Sequence, residues 1–478
     1  MSQSKQSTRT GNIREFKIFE AKQGGKFVDA SAAIVDIKYY ENILSNTTSL
    51  NVIVAETGVS DSSIGNKGML DGLPIRGGNK AHIVIEDHDG ETLTFKGESG
   101  LYVNRIRNVI PGTQKDVYSL DFAPRELFAN EQCRVVQRYD GKISDNVEEI
   151  LKRALTKDVG IKTKKKLDVD KTLYSYNFIG NERKPFNVCT WLASKSVPEE
   201  AGKPGGTAGY LFFETYDAFK FKSIDVLFDV KKNRPKGNYI FTNTADNPKS
   251  GEYEGKILDY SIERDMNLQS NLSVGLYANK TMFFDFYAMN YKVRDFSVDE
   301  SGPPEEDKGA GSKDKIVTGG TDDIDAVADE FRIPISRIMN KVLDVGTLPS
   351  GKDIDEQLEK WKDSPFDPTY DATKIMVQSI MRYNQLFSIK INMTIAGNFK
   401  LRAGDLLYCE FPELTADPNT DVNQKSGGIY MISSLCHNLT PRDTYTSLTL
   451  VRDTFGRKPF SSSNDTGRGS QSEDVLFY

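Results

Sequence analysis

The sequence predicts an α+β fold, mainly β, spread over several domains. Three observations carry this. The 478 residues exceed what one ordinary core holds, so about two to four domains are expected. Aromatic residues make up 10% of the chain, nearly all Phe and Tyr, and flat rings pack well on pleated surfaces. Apolar and polar residues alternate in runs near both ends, whereas the middle shifts to helical spacing.

The first alternating run sets Leu50, Val52 and Val54 against Asn51, Ile53 and Ala55. Ala81, Ile83 and Ile85 lead into Asp87-His88-Asp89-Gly90, and Leu93 and Phe95 follow, which predicts a hairpin with one buried face. A second hairpin is expected over 102–110 and 117–122, turning at Pro111-Gly112. After Ser144 and Asp145, both good N-caps, Val147, Ile150, Leu151, Ala154 and Leu155 fall on one helical face. Pro185 has a fixed φ that suits a first helical turn, and the helix it opens should end before Pro198.

The glycine-rich stretch 202–209 is a loop feeding a hairpin over 210–214 and 219–223. Residues 256–297 return to a β pattern rich in Phe and Tyr. Residues 299–323 are largely Gly, Pro, Glu, Asp and Lys, a mobile loop by composition. Helical blocks are expected at 322–345 and 354–362, then a helix over 371–386. Strands at 387–395, 406–410, 430–434 and 446–452 complete the pattern, with turns at Gly404-Asp405 and Gly427-Gly428. Both ends set a helix beside antiparallel strands, which fits a distant duplication.

Hydrophobic residues at 38% and charged residues at 27% describe a folded chain rather than a disordered one. No apolar run reaches the roughly 18 residues of a spanning helix. Residues 1–12 lack an apolar stretch, which predicts a loose arm and no secretory signal. Net charge is −6, from 62 basic and 68 acidic side chains, without the basic excess of sequence-independent nucleic-acid binders. Cys133, Cys189, Cys409 and Cys436 are scattered and are expected as buried free thiols of a protein made in a reducing cytoplasm.

The motifs that would carry chemistry fail on their own terms. Gly346-Thr347-Leu348-Pro349-Ser350-Gly351-Lys352 matches the start of a P-loop, but Asp353 stands where a hydroxyl must hold Mg²⁺, and Pro349 removes an amide donor. Cys436 and His437 are neighbours on a strand and point to opposite faces, so they cannot share a metal or work as nucleophile and base. Glu305-Glu306 and Asp322-Asp323 lie in or beside the solvated loop, where no dry pocket could raise one pKa. No catalytic residue, cofactor-binding residue or metal ligand is expected, and the protein is read as a non-enzyme.

Three passages carry a resemblance. The first is Tyr39-Tyr40-Glu41-Asn42-Ile43-Leu44, a strand, and Gly72-Leu73-Pro74-Ile75-Arg76-Gly77-Gly78. The second is Tyr210-Leu211-Phe212-Phe213-Glu214-Thr215 with Phe219-Lys220-Phe221-Lys222-Ser223. The third opens with Ile395-Ala396-Gly397-Asn398-Phe399-Lys400-Leu401-Arg402-Ala403-Gly404-Asp405, then continues through 430–437 to the strand 446–452. In this order and spacing the chain resembles the baseplate hub proteins of contractile-tailed phages, relatives of the hub part of type VI secretion spike proteins. The region 258–285, with Gly275 and Asp285, fits that family's middle part, and the family pattern has an exposed His where His437 stands. The resemblance covers about residues 12–457, except the loop 299–323.

The resemblance implies two tail-tube-like antiparallel β-barrel domains plus peripheral α+β material. The first barrel would be 12–124, and the second, discontinuous, 206–237 with 365–457. The periphery would be 125–205 and 238–364, followed by a flexible tail at 458–478. It further implies a homotrimer whose barrels form a pseudo-sixfold ring, a symmetry adaptor joining a hexameric tail tube to a trimeric central spike, with DNA ejection through its channel. Partners would be further copies of itself, tail-tube or tube-initiator proteins, the central spike and baseplate wedge proteins. DNA would be present only in transit, with no membrane insertion, in a virion structural protein of the phage tail baseplate assembled in the host cytoplasm. Ring contacts are expected from Leu50, Val52, Val54, Thr446, Leu448 and Leu450. The apolar end Val475, Leu476, Phe477 and Tyr478 reads as an anchor for docking onto the spike.

The nearest rival is a hub of another contractile injection system, such as type VI. Those hubs are often fused to a needle, and a chain stopping just after the second barrel favours a separate spike. A baseplate cell-wall hydrolase would need a further domain with an acidic catalytic pair. A carbohydrate-binding protein would show clustered exposed Trp, whereas Trp191 and Trp361 stand apart in expected helices.

Overall fold

A computed structural model describes residues 10–20, 26–57, 68–73, 75–112, 115–155, 159–200, 203–204, 206–241, 255–264, 268–275, 277–286, 289–297, 328–343, 372–387, 389–412 and 427–452. The fold is α+β and mainly β, as the alternation predicts. The first unit holds β1 (Asn12–Phe19), β2 (Phe27–Asp29), β3 (Ile34–Asn42), β4 (Ser49–Glu56), the short α1 (Met69–Gly72), β5 (Lys80–Glu86), β6 (Thr92–Phe95), β7 (Leu101–Ile110) and β8 (Asp116–Pro124). Each long strand turns one alternate set inward, so Phe16, Ile37, Tyr39, Val52, Ile83, Leu120 and Phe122 share one core. Both expected hairpins form. The sheet curls around this core, and among the described residues β2 and β3 do not pair to close it.

The middle holds α2 (Arg125–Gln132), β9 (Arg138–Tyr139), α3 (Ile143–Lys152), β10 (Lys166–Val169), β11 (Phe178–Ile179), α4 (Pro185–Ala193), β12 (Glu199–Glu200), β13 (Lys203–Pro204), β14 (Tyr210–Glu214), β15 (Ala218–Ser223) and α5 (Ile224–Phe228). Pro185 sits in the first turn of α4, as its fixed φ requires. The start of α3 differs from expectation. Lys142 occupies the N-cap position, while Ser144 and Asp145 lie inside the first turn, with the Ser144 N–H bonded to the Thr172 hydroxyl and Asp145 paired with Lys171. The hairpin β14–β15 does not join the large sheet. It adds β10 in parallel to form a sheet of its own, with Tyr210, Phe212, Phe219 and Phe221 packed against Phe186 of α4. Its opposite face presents Leu211 and Phe213 to Leu406 and Met431.

The remainder holds β16 (Asn238–Ile240), β17 (Ile257–Arg264), α6 (Leu268–Val274), β18 (Ala278–Asp285), β19 (Asn290–Ser297), α7 (Asp329–Arg332), β20 (Arg337–Val342), α8 (Ala372–Gln385), β21 (Ile389–Ala396), β22 (Leu406–Glu410), β23 (Gly428–Leu439) and β24 (Thr444–Arg452). Where a helix was expected over 322–345, the described part is one short helix and then a strand running parallel to β18. Pro334 explains this, because its ring and missing N–H stop a helix, and Met339 then turns inward opposite Thr281 in strand alternation. β16 and β17, which the resemblance puts in the periphery, are hydrogen bonded to β22 and β21. The loop 299–323, the block 354–362, the P-loop-like stretch and the tail 458–478 lie outside the described residues.

The two β units form one fourteen-stranded sheet whose main path is β17-β21-β24-β23-β3-β4-β8-β7-β5-β1-β2. The joint is β23. Its first residues pair with β22, a bulge follows between Ile432 and Ser434, and residues 434–439 then pair with β3. A bulge bends a strand and raises its twist, which lets one strand serve two partners on the same side. The Ile43 N–H donates to the Ser433 carbonyl (2.9 Å) at the changeover.

Candidate functional site

The joint is sealed by buried polar groups from three distant segments. Glu41, on β3, is 1% exposed. It accepts hydrogen bonds from the Tyr216 N–H (2.6 Å), the Ala403 N–H (2.9 Å) and the Tyr39 hydroxyl (3.0 Å). Burial raises the pKa of Glu41, against the opposing pull of the Arg402 charge. Arg402 donates to Asp217 (2.7 Å) and to the Phe399 (2.6 Å) and Leu401 (2.9 Å) carbonyls. Beside them Lys165 donates to Glu214 (2.6 Å), a fully buried carboxylate that also accepts the Thr48 N–H (2.9 Å).

The bend 397–405 is what delivers these groups. A Cβ on Gly397 would lie 2.7 Å from Thr444, so only glycine fits there, and Gly404 turns the chain at φ +86°. Between them Phe399 enters the core of the first unit, with its N–H held by Asp87 (2.9 Å).

His437, expected to be exposed, is fully buried on β23. Its Nδ1 lies 2.9 Å from the Thr446 hydroxyl and its Nε2 3.3 Å from the Leu401 carbonyl. Burial and then the Arg402 charge push its pKa down to about 3, so the ring is neutral at pH 7. Cys436 points to the other face and is half-buried, which rules out a shared site with its neighbour. Among the described residues no group of three or more His, Cys, Asp or Glu could hold a metal ion.

Leu50, Val52, Val54, Thr446, Leu448 and Leu450 are brought together on the inner face, each at most 2% exposed. Their strands, β4 and β24, are paired on both sides. Leu50, Val52 and Val54 belong to the core of the first unit, and Leu448 and Leu450 to that of the second. Val475, Leu476, Phe477 and Tyr478 lie outside the described residues.

The alternate residues of the same strands make the other face, and it is polar across the joint. One row in register is Ser261, Asn392, Thr449, Ser434 and Asn42. The next is Asp259, Thr394, Ser447, Cys436, Tyr40 and Ser49. A third runs Tyr445, Asn438, Lys38, Asn51, Asp121 and Arg105. A shallow groove of about 630 Å³ follows the first two rows. Elsewhere on the face charges are paired, Lys38 with Asp36 (3.0 Å) and Arg107 with Asp121 (2.6 Å). Hydroxyl and amide groups in such rows offer hydrogen bonds without a net field, so the face can border water or slide past a polyanion without trapping it. Glu41, Glu214, Arg402 and His437 all fall in the passages that carry the resemblance, but no local pattern in the sequence says that they meet.

No helix among the described residues is long and apolar enough to cross a membrane. No family model matches the sequence, and no curated protein matches it. Among solved structures, the chain is similar to a 43 kDa tail protein of a Shewanella oneidensis prophage, with 11% identity and a TM-score of 0.49, covering 92% of this chain and 98% of that one. It is similar to a tail protein from Neisseria meningitidis, at 10% identity and a TM-score of 0.47, covering 93% of this chain and 97% of that one. It is also similar to an E. coli component of the type VI secretion system, at 7% identity and a TM-score of 0.39, covering 94% of this chain and 79% of that one.

Proposed function

We propose that the protein is a structural hub at the centre of a contractile tail's baseplate and does no catalysis. One observation carries the reading: β23 leaves β22 and pairs with β3, fusing two β units into a single sheet with a core behind it and one polar face in front. A chain with two such units gives six from three copies, so a homotrimer can meet a hexameric tube on one side and a trimeric spike on the other. The polar face, with its paired charges, then borders the channel through which DNA passes. The order of the three sequence passages supports the same reading, since two of them, Tyr39–Leu44 and 395–437, meet at the joint. Tube or tube-initiator proteins, wedge proteins and the central spike are the partners, in the virion baseplate after assembly in the host cytoplasm.

The test is the mass of the purified full chain by light scattering, with electron microscopy of the particles. A trimeric ring with a central opening is expected. A stable monomer at micromolar concentration sinks the reading.

A further inference from the structure

The sheet β19-β18-β20 stands apart from the large one and has two unlike faces. On the inner face Thr281, Phe283 and Met339 are buried, and Arg294 donates to the Thr373 hydroxyl of α8 (3.0 Å). On the outer face the register sets Tyr291, Phe284 and Val342 in one row and Val293 beside Met282 in the next, with Ile338 beyond. Ile338 is 64% exposed, Tyr291 63% and Val342 56%. Among the described residues the polar members of this face are Asn340 and the pair Lys280–Asp295 (3.6 Å) at one end. A contiguous apolar surface of this kind marks a place where something docks.

We propose that the occupant is the chain's own stretch 354–362, docked on this face as an amphipathic helix. The attachments of the surrounding residues 344–371, which lie outside the described residues, support it. The Leu343 N–H donates to the Phe284 carbonyl (2.9 Å), so the chain leaves the sheet beside the row of Tyr291, Phe284 and Val342. It returns at α8, whose Thr373 is tied to Arg294 of β19. Both ends are thus held by the same three strands. The links 344–353 and 363–371 can each span about 30 Å when extended. That is about three times the distance of roughly 10 Å across three strands, so neither link is too short.

The residues of the stretch fit the face. Asp353 stands three before Glu356, the spacing of a capping box that starts a helix. Ile354, Leu358 and Trp361 follow at the i, i+4 and i+7 spacing of one helical face, and Asp355, Glu356, Glu359, Lys360 and Lys362 fill the rest. So short a helix does not hold in water by itself and needs an apolar partner. Its length of about 14 Å lies within the roughly 20 Å over which β18 and β20 pair, from Asn279 to Phe284. Once it is docked, a neighbouring protein meets an acidic helix at this place, led by Asp355, Glu356 and Glu359, and not an apolar sheet. Docking within one chain does not depend on how many copies the particle holds.

The test is limited trypsin digestion of the full chain, with cleavage after Lys360 and Lys362 followed by mass spectrometry. The native chain is compared with V293E/I338E on the sheet and L358E/W361E on the stretch, and circular dichroism checks that each is folded. Val293 and Ile338 are exposed, so their replacement leaves the described cores intact. Either variant should be cut at these sites about tenfold faster than the native chain, because the docked form hides them. Equal rates in the native chain and V293E/I338E overturn the proposal. Protection of the native chain that rises with protein concentration also overturns it, since a second copy is then the occupant. If a variant does not fold, V293C/L358C on a Cys436→Ser background replaces it, the other three cysteines being buried. A short bis-maleimide should then join the two positions within one chain. A product of twice the mass, or no link, overturns the proposal.

Discussion

His437 and Tyr39 lie directly opposite each other across the β23–β3 joint, their rings stacked at 6.2 Å with planes 5° apart. The imidazole is neutral there because burial and the Arg402 charge hold its pKa at about 3 against an ordinary 6.5. Between those values the unfolded chain binds a proton that the native ring refuses. Stability from this group is therefore full above pH 6.5 and is lost as pH falls towards 3, by at most about 1.4 kcal/mol per unit. The raised pKa of Glu41 acts in the opposite sense, its contribution fading as pH rises. Denaturant midpoints of His437→Gln should vary less than those of the native chain between pH 6.5 and 4.

Lys165 and Glu214 form a buried pair at 2.6 Å, with Glu214 wholly enclosed. Lys165→Met leaves that carboxylate uncompensated and should cost about 3–5 kcal/mol in urea unfolding. Adding Glu214→Leu should recover much of the loss, because the orphaned charge is then gone.

Phe399 crosses from the second unit's bend into the first unit's core. Phe399→Ala should destabilise by about 3–5 kcal/mol, measured by chemical unfolding. Both units should lose stability together, since the ring belongs to the contact between them.

The polar face should ignore nucleic acid as it stands. Thr394→Lys, Ser434→Lys and Ser447→Lys together place three cations along adjoining rows of it. Filter binding should then show duplex DNA retained at low salt, with a log–log salt slope of about −0.9 for each phosphate contacted. The native chain should show no such retention.

Much of the fold was legible because it is written in local period. Ala81, Ile83 and Ile85 announce a strand, and Val147, Ile150 and Leu151 a helix, each within one element. Partners far along the chain were not legible. Alternation at Leu50, Val52 and Val54 says that one face is buried but not whether the strand is an edge, and β4 proves to be interior. The reach of β23 was underestimated because it ends in Cys436, His437 and Asn438, polar in composition yet half-buried or buried. His437 is tolerated inside only because Thr446 and Leu401, nine and thirty-six positions away, supply its partners.

The shared strand also decides how the protein can carry force. Two domains joined by a linker and side-chain contacts can tilt apart under a load applied at one end. Here the connection is backbone ladder, in register from Ser434 opposite Asn42 to Leu439 opposite Ile37. A pull along the strands loads those hydrogen bonds in shear, all at once, whereas a hinge would open them singly. A load applied to one unit along these strands therefore passes to the other through the middle of the chain, as through one stiff plate.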